Sequence, residues 1–250
     1  MLRRSILSTA RRSRSLSANA LCSSSPGLGV VPGAGASHPG LARMIRAFDE
    51  RPHQHGLPGF FFHDAAVYGT ELELIFNREW LFAANDVELP EPGNYITLTV
   101  GAHPIAVIRG LDGTIRAFHN ICRHRGHRVC TGVRGKAKAG GKRLVCPYHQ
   151  WVYDVNDGAL LSAREMTDTL DKASLGLKPV RLEVANGYIF VCLADEAPEF
   201  GPVRDMLELY SEPFDLCKTK VAHQTRFIEK ANWKLVWENN RGVHGAHACT

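Results

Sequence analysis

The sequence predicts a small, mainly β domain over about residues 55–195 and the start of an α+β domain over residues 196–250. Short apolar runs of strand length, separated by glycine-containing turns, fill the first region. Two amphipathic helical patterns begin after residue 197. A chain of 250 residues has room for two modest domains, each with a core of its own.

The first regular element that the sequence predicts is a helix from Val67 to Ala84. Thr70 and Glu73 have the spacing of a capping box near its start. Helical spacing places five apolar residues on one face: Leu72, Ile75, Phe76, Trp80 and Leu81. We therefore expect one continuous helix before the strands.

Six strand-like runs follow this helix. The first three, "EPGNYITLTV", "HPIAVIRG" and "TIRAFHN", are separated by turn signals at Gly101 and at Asp112-Gly113. Two more, at residues 152–153 and 160–161, flank a turn at residues 156–158, and "GYIFVCLA" at residues 187–194 is the last. This pattern is typical of a meander of small antiparallel strands.

Two helices are predicted after the strands. "PEFGPVRDMLELY" has the pattern of a short amphipathic helix, and "IEKANWKLVWENNRGVHGAHA" that of a longer one. Trp233 and Trp237 lie one turn apart in the longer pattern. This spacing is more typical of a packed helix face than of the alternative, an aromatic cage for a quaternary ammonium ion.

The N-terminal segment differs in composition from the rest of the chain. Seven Arg and no acid precede Asp49, and Ser is frequent. Such a composition, with dispersed apolar residues, is typical of an organelle transit peptide, and the Gly-, Pro- and Ser-rich tract at residues 23–40 resembles a cleavage zone and linker. We expect residues 1–45 to be a transit peptide and linker for the mitochondrion or, alternatively, the chloroplast. A disordered tail is the other possibility.

The formal net charge of +5 comes from that segment, because the remaining chain has 23 basic and 25 acidic residues. No aromatic residues interleave with the basic ones, and no known nucleic-acid motif is present. No run of 18 uncharged apolar residues occurs either. We therefore expect no nucleic-acid partner and no membrane span.

Two Cys-His pairs form the main candidate site. Cys122 and His124 are two residues apart, Cys146 and His149 are three apart, and twenty-one residues separate the pairs. Without a secretory signal, a disulfide framework is not expected. A [2Fe-2S] cluster, with Cys122 and Cys146 on one iron and His124 and His149 on the other, suits the mixed pairs. The alternatives are a zinc site, although zinc knuckles pair Cys with Cys, and buried thiols beside surface histidines.

The two motifs "CRHRG" at residues 122–126 and "CPYHQW" at residues 146–151 resemble the Rieske motif. Neutral imidazole ligands give such a cluster a higher potential than that of an all-Cys ferredoxin. Respiratory Rieske proteins add two Cys that form a disulfide across the two loops. Tyr148 stands at one of those positions here, which leaves Cys130 without a partner, so the resemblance is to the Rieske oxygenases.

Over about residues 55–241 the sequence is similar to the large (alpha) subunit of Rieske oxygenases that act on quaternary amines, such as glycine betaine demethylases and choline monooxygenases. The similarity lies in "ELELIFNREWLF", "CPYHQWVYDVNDGALLSARE" and "ANWKLVWENNR". The resemblance implies a mainly β Rieske domain followed by a helix-grip catalytic domain, in a homotrimer. It also implies that electrons pass from a ferredoxin or flavin reductase through the cluster to a mononuclear non-haem Fe(II), where O2 is used to oxidise choline or glycine betaine.

His244 and His247 are candidate ligands of that mononuclear iron, which the family binds with two His and a carboxylate. They are three residues apart where the family's pair is five apart, and Arg241 or Gly242 stands where the family has a bridging acid. The alternative is that both are surface histidines. We expect a chain that is truncated or misread after Arg241, so that residues 196–250 are the start of an incomplete catalytic domain. A stand-alone Rieske electron carrier and a non-catalytic remnant without mononuclear iron are the alternative functions.

Eight basic residues surround the Cys-His pairs: Arg123, Arg125, Arg128, Arg134, Lys136, Lys138, Lys142 and Arg143. One interpretation is a solvated, glycine-rich insertion. The other is a docking face for an acidic electron donor, because complementary charge speeds encounter more than it tightens binding.

Overall fold

The structure is a computed structural model and describes residues 40–167 and 169–241. The predicted transit peptide and linker therefore lie outside the described residues up to residue 39. Residues 41–45, which we expected to belong to that segment, are the first half of a helix. An ion pair of 2.8 Å between Arg43 and Asp64 connects this helix to the chain that follows.

The helices of the described residues lie on both sides of the strands in sequence. In chain order they are α1 (Leu41–Asp49), α2 (Phe60–His63), α3 (Ala65–Glu71), α4 (Lys138–Gly141), α5 (Gly201–Ser211) and α6 (Trp233–Arg241). A π-helical turn at Leu72–Phe76 continues α3. None of these helices is long and apolar enough to cross a membrane.

Ten short strands occupy the middle of the described chain. They are β1 (Leu81–Asn85), β2 (Asn94–Val100), β3 (His103–Arg109), β4 (Ile115–His119), β5 (Arg134–Lys136), β6 (Arg143–Val145), β7 (Val152–Asp154), β8 (Leu160–Ser162), β9 (Pro179–Ala185) and β10 (Tyr188–Cys192). Seven form one antiparallel sheet in the order β1-β10-β9-β4-β3-β2-β5, and the others form a second sheet, β6-β7-β8. The prediction of a mainly β domain of small antiparallel strands is confirmed.

Strand β3 is buried on both faces, and its alternation separates two apolar cores. Ile105 and Val107 pack into one core with residues of β1, β9 and β10. Ala106 and Ile108 point to the opposite face, because successive side chains of a strand alternate. They pack into the other core with residues of the three-stranded sheet, and this second core includes Cys122 and Cys146. The candidate site thus stands on the core that joins the two sheets.

The predicted helix from Val67 to Ala84 is shorter than expected. α3 and the π-helical turn end at Phe76, and Leu81 and its neighbours form the edge strand β1, in which Leu81 pairs with Val191. A pairing partner more than one hundred residues away decides the structure here, and local apolar spacing cannot reveal it. The N-cap is also different: Asp64 Oδ1 accepts a hydrogen bond from the Ala66 N–H, while Thr70 lies within the helix.

The two helices predicted after the strands are both present, with changed ends. α5 confirms the shorter pattern. α6 begins at Trp233 and not at Ile228. The residues before it, 219–232, belong to no helix or strand. Its predicted continuation to residue 248 falls on residues 242–250, outside the described residues.

Candidate metal centre

The two Cys-His pairs lie on two loops with the same backbone hydrogen bonds. The first loop, residues 122–127, follows β4, and the second loop, residues 146–151, joins β6 to β7. In the first, Cys122 N–H donates to the His127 carbonyl (2.8 Å) and the Cys122 carbonyl accepts from Gly126 N–H (3.0 Å). In the second, Cys146 makes the equivalent bonds with Trp151 (2.9 Å) and Gln150 (3.0 Å).

Both loops need a residue with left-handed backbone at the same position. Gly126 has a φ of 72° and Gln150 a φ of 59°. Glycine adopts this conformation without cost, whereas a residue with a Cβ is strained by about 1 kcal/mol. Gln150 is held by Arg164, whose guanidinium donates to Gln150 Oε1 at 2.8 Å.

The loops bring the four predicted ligands together as two pairs. Cys122 and Cys146 are both buried in the core beneath the loops, and their sulfurs are within hydrogen-bonding reach of each other. The rings of His124 and His149 lie outside this pair, with centroids 4.6 Å apart and planes at 73°. Trp151, itself buried, stacks on His124 with ring planes only 8° apart and centroids separated by 4.8 Å.

The Cys146 sulfur is placed among backbone N–H groups. Burial raises the pKa of this thiol, and so does the neighbouring Cys122, whereas the N–H groups of Tyr148 and His149 donate to the sulfur and lower it. Donors aimed at a sulfur favour its anionic form. The loop therefore offers this sulfur backbone donors that would stabilise a thiolate.

The sulfur of Cys122 is contacted by a side chain, that of Tyr153. Its hydroxyl lies 3.2 Å from Cys122 Sγ and accepts a hydrogen bond of 3.0 Å from Arg123 N–H. Because that N–H donates to the oxygen, the hydroxyl proton is free to point at the sulfur. Burial and the Cys122 sulfur raise the pKa of Tyr153, so the hydroxyl keeps its proton at any ordinary pH.

Asn120 connects the chain just before the first loop to the chain just after it. Its amide is fully buried and donates to the Cys130 carbonyl (2.7 Å), while its Oδ1 accepts from Val129 N–H (3.0 Å) and Cys130 N–H (2.8 Å). Asn120 and Tyr153 hold the candidate site in place, and the sequence analysis did not single them out. A polar residue at the end of an apolar strand, and a tyrosine on an inward-facing strand position, were the available signals, since buried polar groups need partners.

The donor set fits a binuclear iron-sulfur cluster. His124 Nδ1 and Trp151 Nε1 are buried and have no hydrogen-bond partner, and a buried polar atom without a partner is costly unless a ligand satisfies it. Two thiols in one pair and two imidazoles in another are the arrangement that a [2Fe-2S] cluster with mixed ligands needs.

The outer side of the pair of rings is accessible. Tyr148 is 55% exposed, and its ring covers His149 with centroids 3.8 Å apart. Loss of hydration, followed by the nearby His124 and Arg125, lowers the pKa of His149. A neutral imidazole at the edge of the site is available as a metal ligand at neutral pH.

The structure divides the eight basic residues into two sets. Three of them pair with acids: Arg134 with Glu88, Lys136 with Glu91 (2.7 Å) and Arg143 with Asp154 (3.2 Å). The other five are exposed, and no acid of the described ranges pairs with them: Arg123, Arg125 and Arg128 lie on and beside the first loop, and Lys138 and Lys142 lie in and just after α4.

The remaining candidates have different outcomes. Cys130 is buried and free, as the resemblance implied, and burial raises the pKa of its thiol to about 12. His244 and His247 lie outside the described residues, and their proposed role stays a prediction.

Comparison with known proteins agrees with this site. Residues 79–177 match the model of the Rieske [2Fe-2S] domain. The chain is 43% identical, over 85% of its length and 47% of the relative, to the glycine betaine monooxygenase oxygenase subunit of Chromohalobacter salexigens. It is 34% identical to the carnitine monooxygenase oxygenase subunit of Acinetobacter pittii, over 73% of this chain and 49% of that one. Among solved structures, the apo form of the quaternary ammonium Rieske monooxygenase CntA superposes with a TM-score of 0.65 and 32% identity, covering 72% of this chain and 52% of CntA.

The fold, the paired ligands and the matched domain define a Rieske iron-sulfur protein. More narrowly, the chain is similar to the large subunits of Rieske oxygenases of the quaternary-amine type. It spans about half the length of the curated relatives that it matches.

The relatives also correct the prediction of localisation. We expected a mitochondrial or chloroplast protein from the Arg- and Ser-rich start of the chain. That prediction is wrong, because the similar glycine betaine and carnitine monooxygenase subunits are bacterial proteins and point to a bacterial protein. Composition alone misled here, since arginine and serine without acids are not unique to targeting segments.

Proposed function

We propose that this chain is an electron-transferring oxygenase subunit that binds a [2Fe-2S] cluster through Cys122, His124, Cys146 and His149 and acts in the oxidation of a quaternary amine. The observation that supports this most directly is the pairing of two buried thiols and two imidazoles, one with an unpartnered Nδ1, within the residues that match the Rieske domain. When bound, the cluster supplies reversible one-electron storage.

The residues around the cluster set its charge environment. Backbone N–H groups of Tyr148 and His149 and the hydroxyl of Tyr153 donate toward the two sulfurs, and each such bond favours the more negative, reduced state. Trp151 holds the plane of His124 by stacking and excludes water from that side. His149 and the exposed Tyr148 form the accessible side, through which electrons would pass to and from a bound cluster.

We propose that an acidic ferredoxin or flavin reductase donates the electrons. The exposed Arg123, Arg125 and Arg128 lie on or beside the first loop without acidic partners in the described ranges. Complementary charge on a donor would speed its encounter with this surface, and the effect would weaken with salt.

The proposed substrate is a small quaternary amine such as glycine betaine, and O2 is the proposed co-substrate. This proposal rests on the names of the bacterial relatives, which are glycine betaine and carnitine monooxygenase oxygenase subunits. The mononuclear Fe(II) to which the electrons would pass, with His244 and His247 as candidate ligands, and assembly as a homotrimer belong to the same proposal. Choline stays a prediction of the sequence resemblance.

Iron and acid-labile sulfide analysis of the anaerobically reconstituted chain tests the proposal. We expect two irons and two sulfides per chain for the cluster, with an axial or rhombic electron paramagnetic resonance signal on reduction. A third iron, lost in His244→Ala, would support the mononuclear site. Two irons without a third would favour a Rieske electron carrier instead. A colourless protein with zinc and no sulfide would contradict the proposal.

A further inference from the structure

A buried ion pair joins two parts of the chain that are far apart in sequence. Glu71, the last residue of α3, is 3% exposed, and Lys234, near the start of α6, is 8% exposed. Lys234 Nζ donates to Glu71 Oε1 at 2.5 Å, and Trp233 Nε1 donates to the other oxygen, Oε2, at 2.8 Å. Both carboxylate oxygens are therefore occupied by donors from α6.

Asn232, which precedes Trp233 and Lys234, makes a third contact between the start of α6 and the helices that precede the sheet. Asn232 Nδ2 donates to the carbonyl of Phe62 in α2 at 3.2 Å, while its Oδ1 accepts from Lys234 N–H at 3.0 Å and caps α6. The ring of Trp233 meets Phe76 edge-on, with centroids 5.1 Å apart. Three consecutive residues thus hold the start of α6 against the helices that precede the sheet.

The segment that precedes this helix is irregular and largely exposed. Residues 219–232 belong to no helix or strand, and Phe227 and Ile228 are 75% and 92% exposed. An apolar contact would stabilise the packing of α6 as well as a buried ion pair does, because removing charges from water is costly. Directional bonds to both carboxylate oxygens, in contrast, permit only one register of α6 against α3.

We propose that Glu71 is a positioning residue: its carboxylate, held by Lys234 and Trp233, fixes the register of α6 and hence the point from which the chain continues beyond Arg241. The inference needs neither the cluster nor a substrate. Only its consequence for His244 and His247, which follow α6, rests on the proposed function.

Hydrogen exchange of the full chain, followed by mass spectrometry of peptides, tests the role of the carboxylate. Glu71→Gln keeps the shape of the side chain and removes its charge. We expect amides of residues 234–241 to exchange at least ~10-fold faster, because the Lys234 ammonium is left buried without its counter-ion. Amides of β3 should exchange as in the unmodified chain. Unchanged exchange of α6 in this variant would overturn the proposal.

A matched control is the exposed ion pair between Lys218 and Asp215, 2.6 Å long, in which Lys218 is 83% exposed. Lys218→Gln should leave α6 exchange unchanged, since exposed pairs contribute little. If Lys218→Gln loosened α6 as much as Glu71→Gln does, the effect would not be specific to the buried carboxylate and the proposal would fail.

Lys234→Met approaches the same contact from α6 and keeps the test open if Glu71→Gln does not fold. Alone it should also speed exchange of residues 235–241 at least ~10-fold, because Glu71 is left buried and charged. In the Glu71→Gln background the added effect should fall below ~3-fold, since neither charge is then left unpaired. Two effects that multiply in full would show that the residues do not act as one unit and would overturn the proposal.

Discussion

The first loop and the second loop have the same backbone and different supports. In each, the cysteine N–H and carbonyl bond to residues five and four positions later, so the two sulfurs are presented in the same way. The first loop is braced by side chains, Asn120 and Tyr153, whereas the second supplies backbone N–H groups to its sulfur. The histidine follows its cysteine by two residues in one loop and by three in the other. A repeated backbone can therefore present two equivalent sulfurs while the support of each differs.

Loss of either sulfur should have the largest effect, and the effect should be the same for both loops. Cys122→Ala and Cys146→Ala each leave one iron with a single thiolate, so we expect complete loss of the visible absorption and of the paramagnetic signal of the reduced cluster. Acid-labile sulfide analysis gives the same information independently. Cys217→Ala is the matched control, because that thiol is exposed, and should keep the full spectrum. A cluster retained in Cys146→Ala would show that the two loops do not present equivalent sulfurs.

Removal of the brace of the first loop should be the next largest effect. Asn120→Ala leaves the Cys130 carbonyl and the N–H groups of Val129 and Cys130 without partners in the core. Each buried group left unpaired costs roughly 1 kcal/mol or more, so the free energy of unfolding should fall by about 3 kcal/mol. Urea unfolding of the apoprotein measures it.

The control for this variant is Asn156→Ala. Asn156 is half-buried, and its Oδ1 accepts a hydrogen bond from Leu111 N–H at 2.8 Å, in a turn away from both loops. We expect a loss of about 1 kcal/mol there. Equal losses at the two positions would mean that Asn120 is an ordinary turn amide and not the brace of a loop.

The parts of the fold that depend on interactions between residues close in sequence were predicted better than the parts that depend on residues far apart in the chain. The four candidate ligands and most strands of the meander lie in local patterns, so spacing and turn residues were sufficient to predict those strands and to single out the candidates. Strand β1 was mistaken for helix, because only its pairing with β10 makes Leu81 and Phe82 extended. Strand β9 gave no signal that we used, and β5 was hidden within the basic, glycine-rich stretch.

The supports of the site were less predictable than the ligands for the same reason. Asn120 acts on Val129, 9 positions away in the chain, and Tyr153 acts on Cys122, 31 positions away. Candidate metal ligands can be recognised from residue type and spacing. A residue that supports them can be recognised only from the tertiary contacts that it makes in the folded chain. Sequence patterns alone show such a residue only as a polar side chain in apolar surroundings.

Removal of one hydroxyl should change the potential of the cluster and leave the cluster intact. In Tyr153→Phe the Cys122 sulfur loses a donor that stabilises the reduced, more negative state. A hydrogen bond of about 1 kcal/mol corresponds to roughly 40 mV for one electron, so the midpoint potential should fall by about that amount. A redox titration followed by paramagnetic resonance measures it.

Tyr95→Phe is the control for the hydroxyl. Tyr95 is partly buried, packs against the same core, and has its hydroxyl near Gly132 and Cys130, not near a predicted ligand. We expect its potential to match that of the unmodified protein. A fall in Tyr95→Phe as large as that in Tyr153→Phe would show that loss of any buried dipole, and not the contact with Cys122, sets the potential.

The smallest expected effects on stability come from the left-handed position that the two loops share, Gly126 in the first loop and Gln150 in the second. A Cβ at Gly126 would meet nothing within 4 Å, so Gly126→Ala should cost only the backbone strain of a left-handed residue, about 1 kcal/mol. Gln150→Gly removes that strain from the second loop but adds the chain entropy of glycine, so we expect a gain of about 0.5 kcal/mol in urea unfolding.

Gln150→Ala separates backbone strain from the contact with Arg164. Alanine keeps the left-handed strain and loses the hydrogen bond to Arg164, which is exposed and contributes little. Its stability should therefore stay within about 0.5 kcal/mol of the unmodified protein and below that of Gln150→Gly. If Gln150→Gly were the less stable of the two, the chain entropy of glycine would outweigh the relief of strain, whereas a large loss of stability in Gln150→Ala would show that the Arg164 contact, which both variants lack, holds the second loop. The two loops would then share a hydrogen-bond pattern without sharing the force that maintains it.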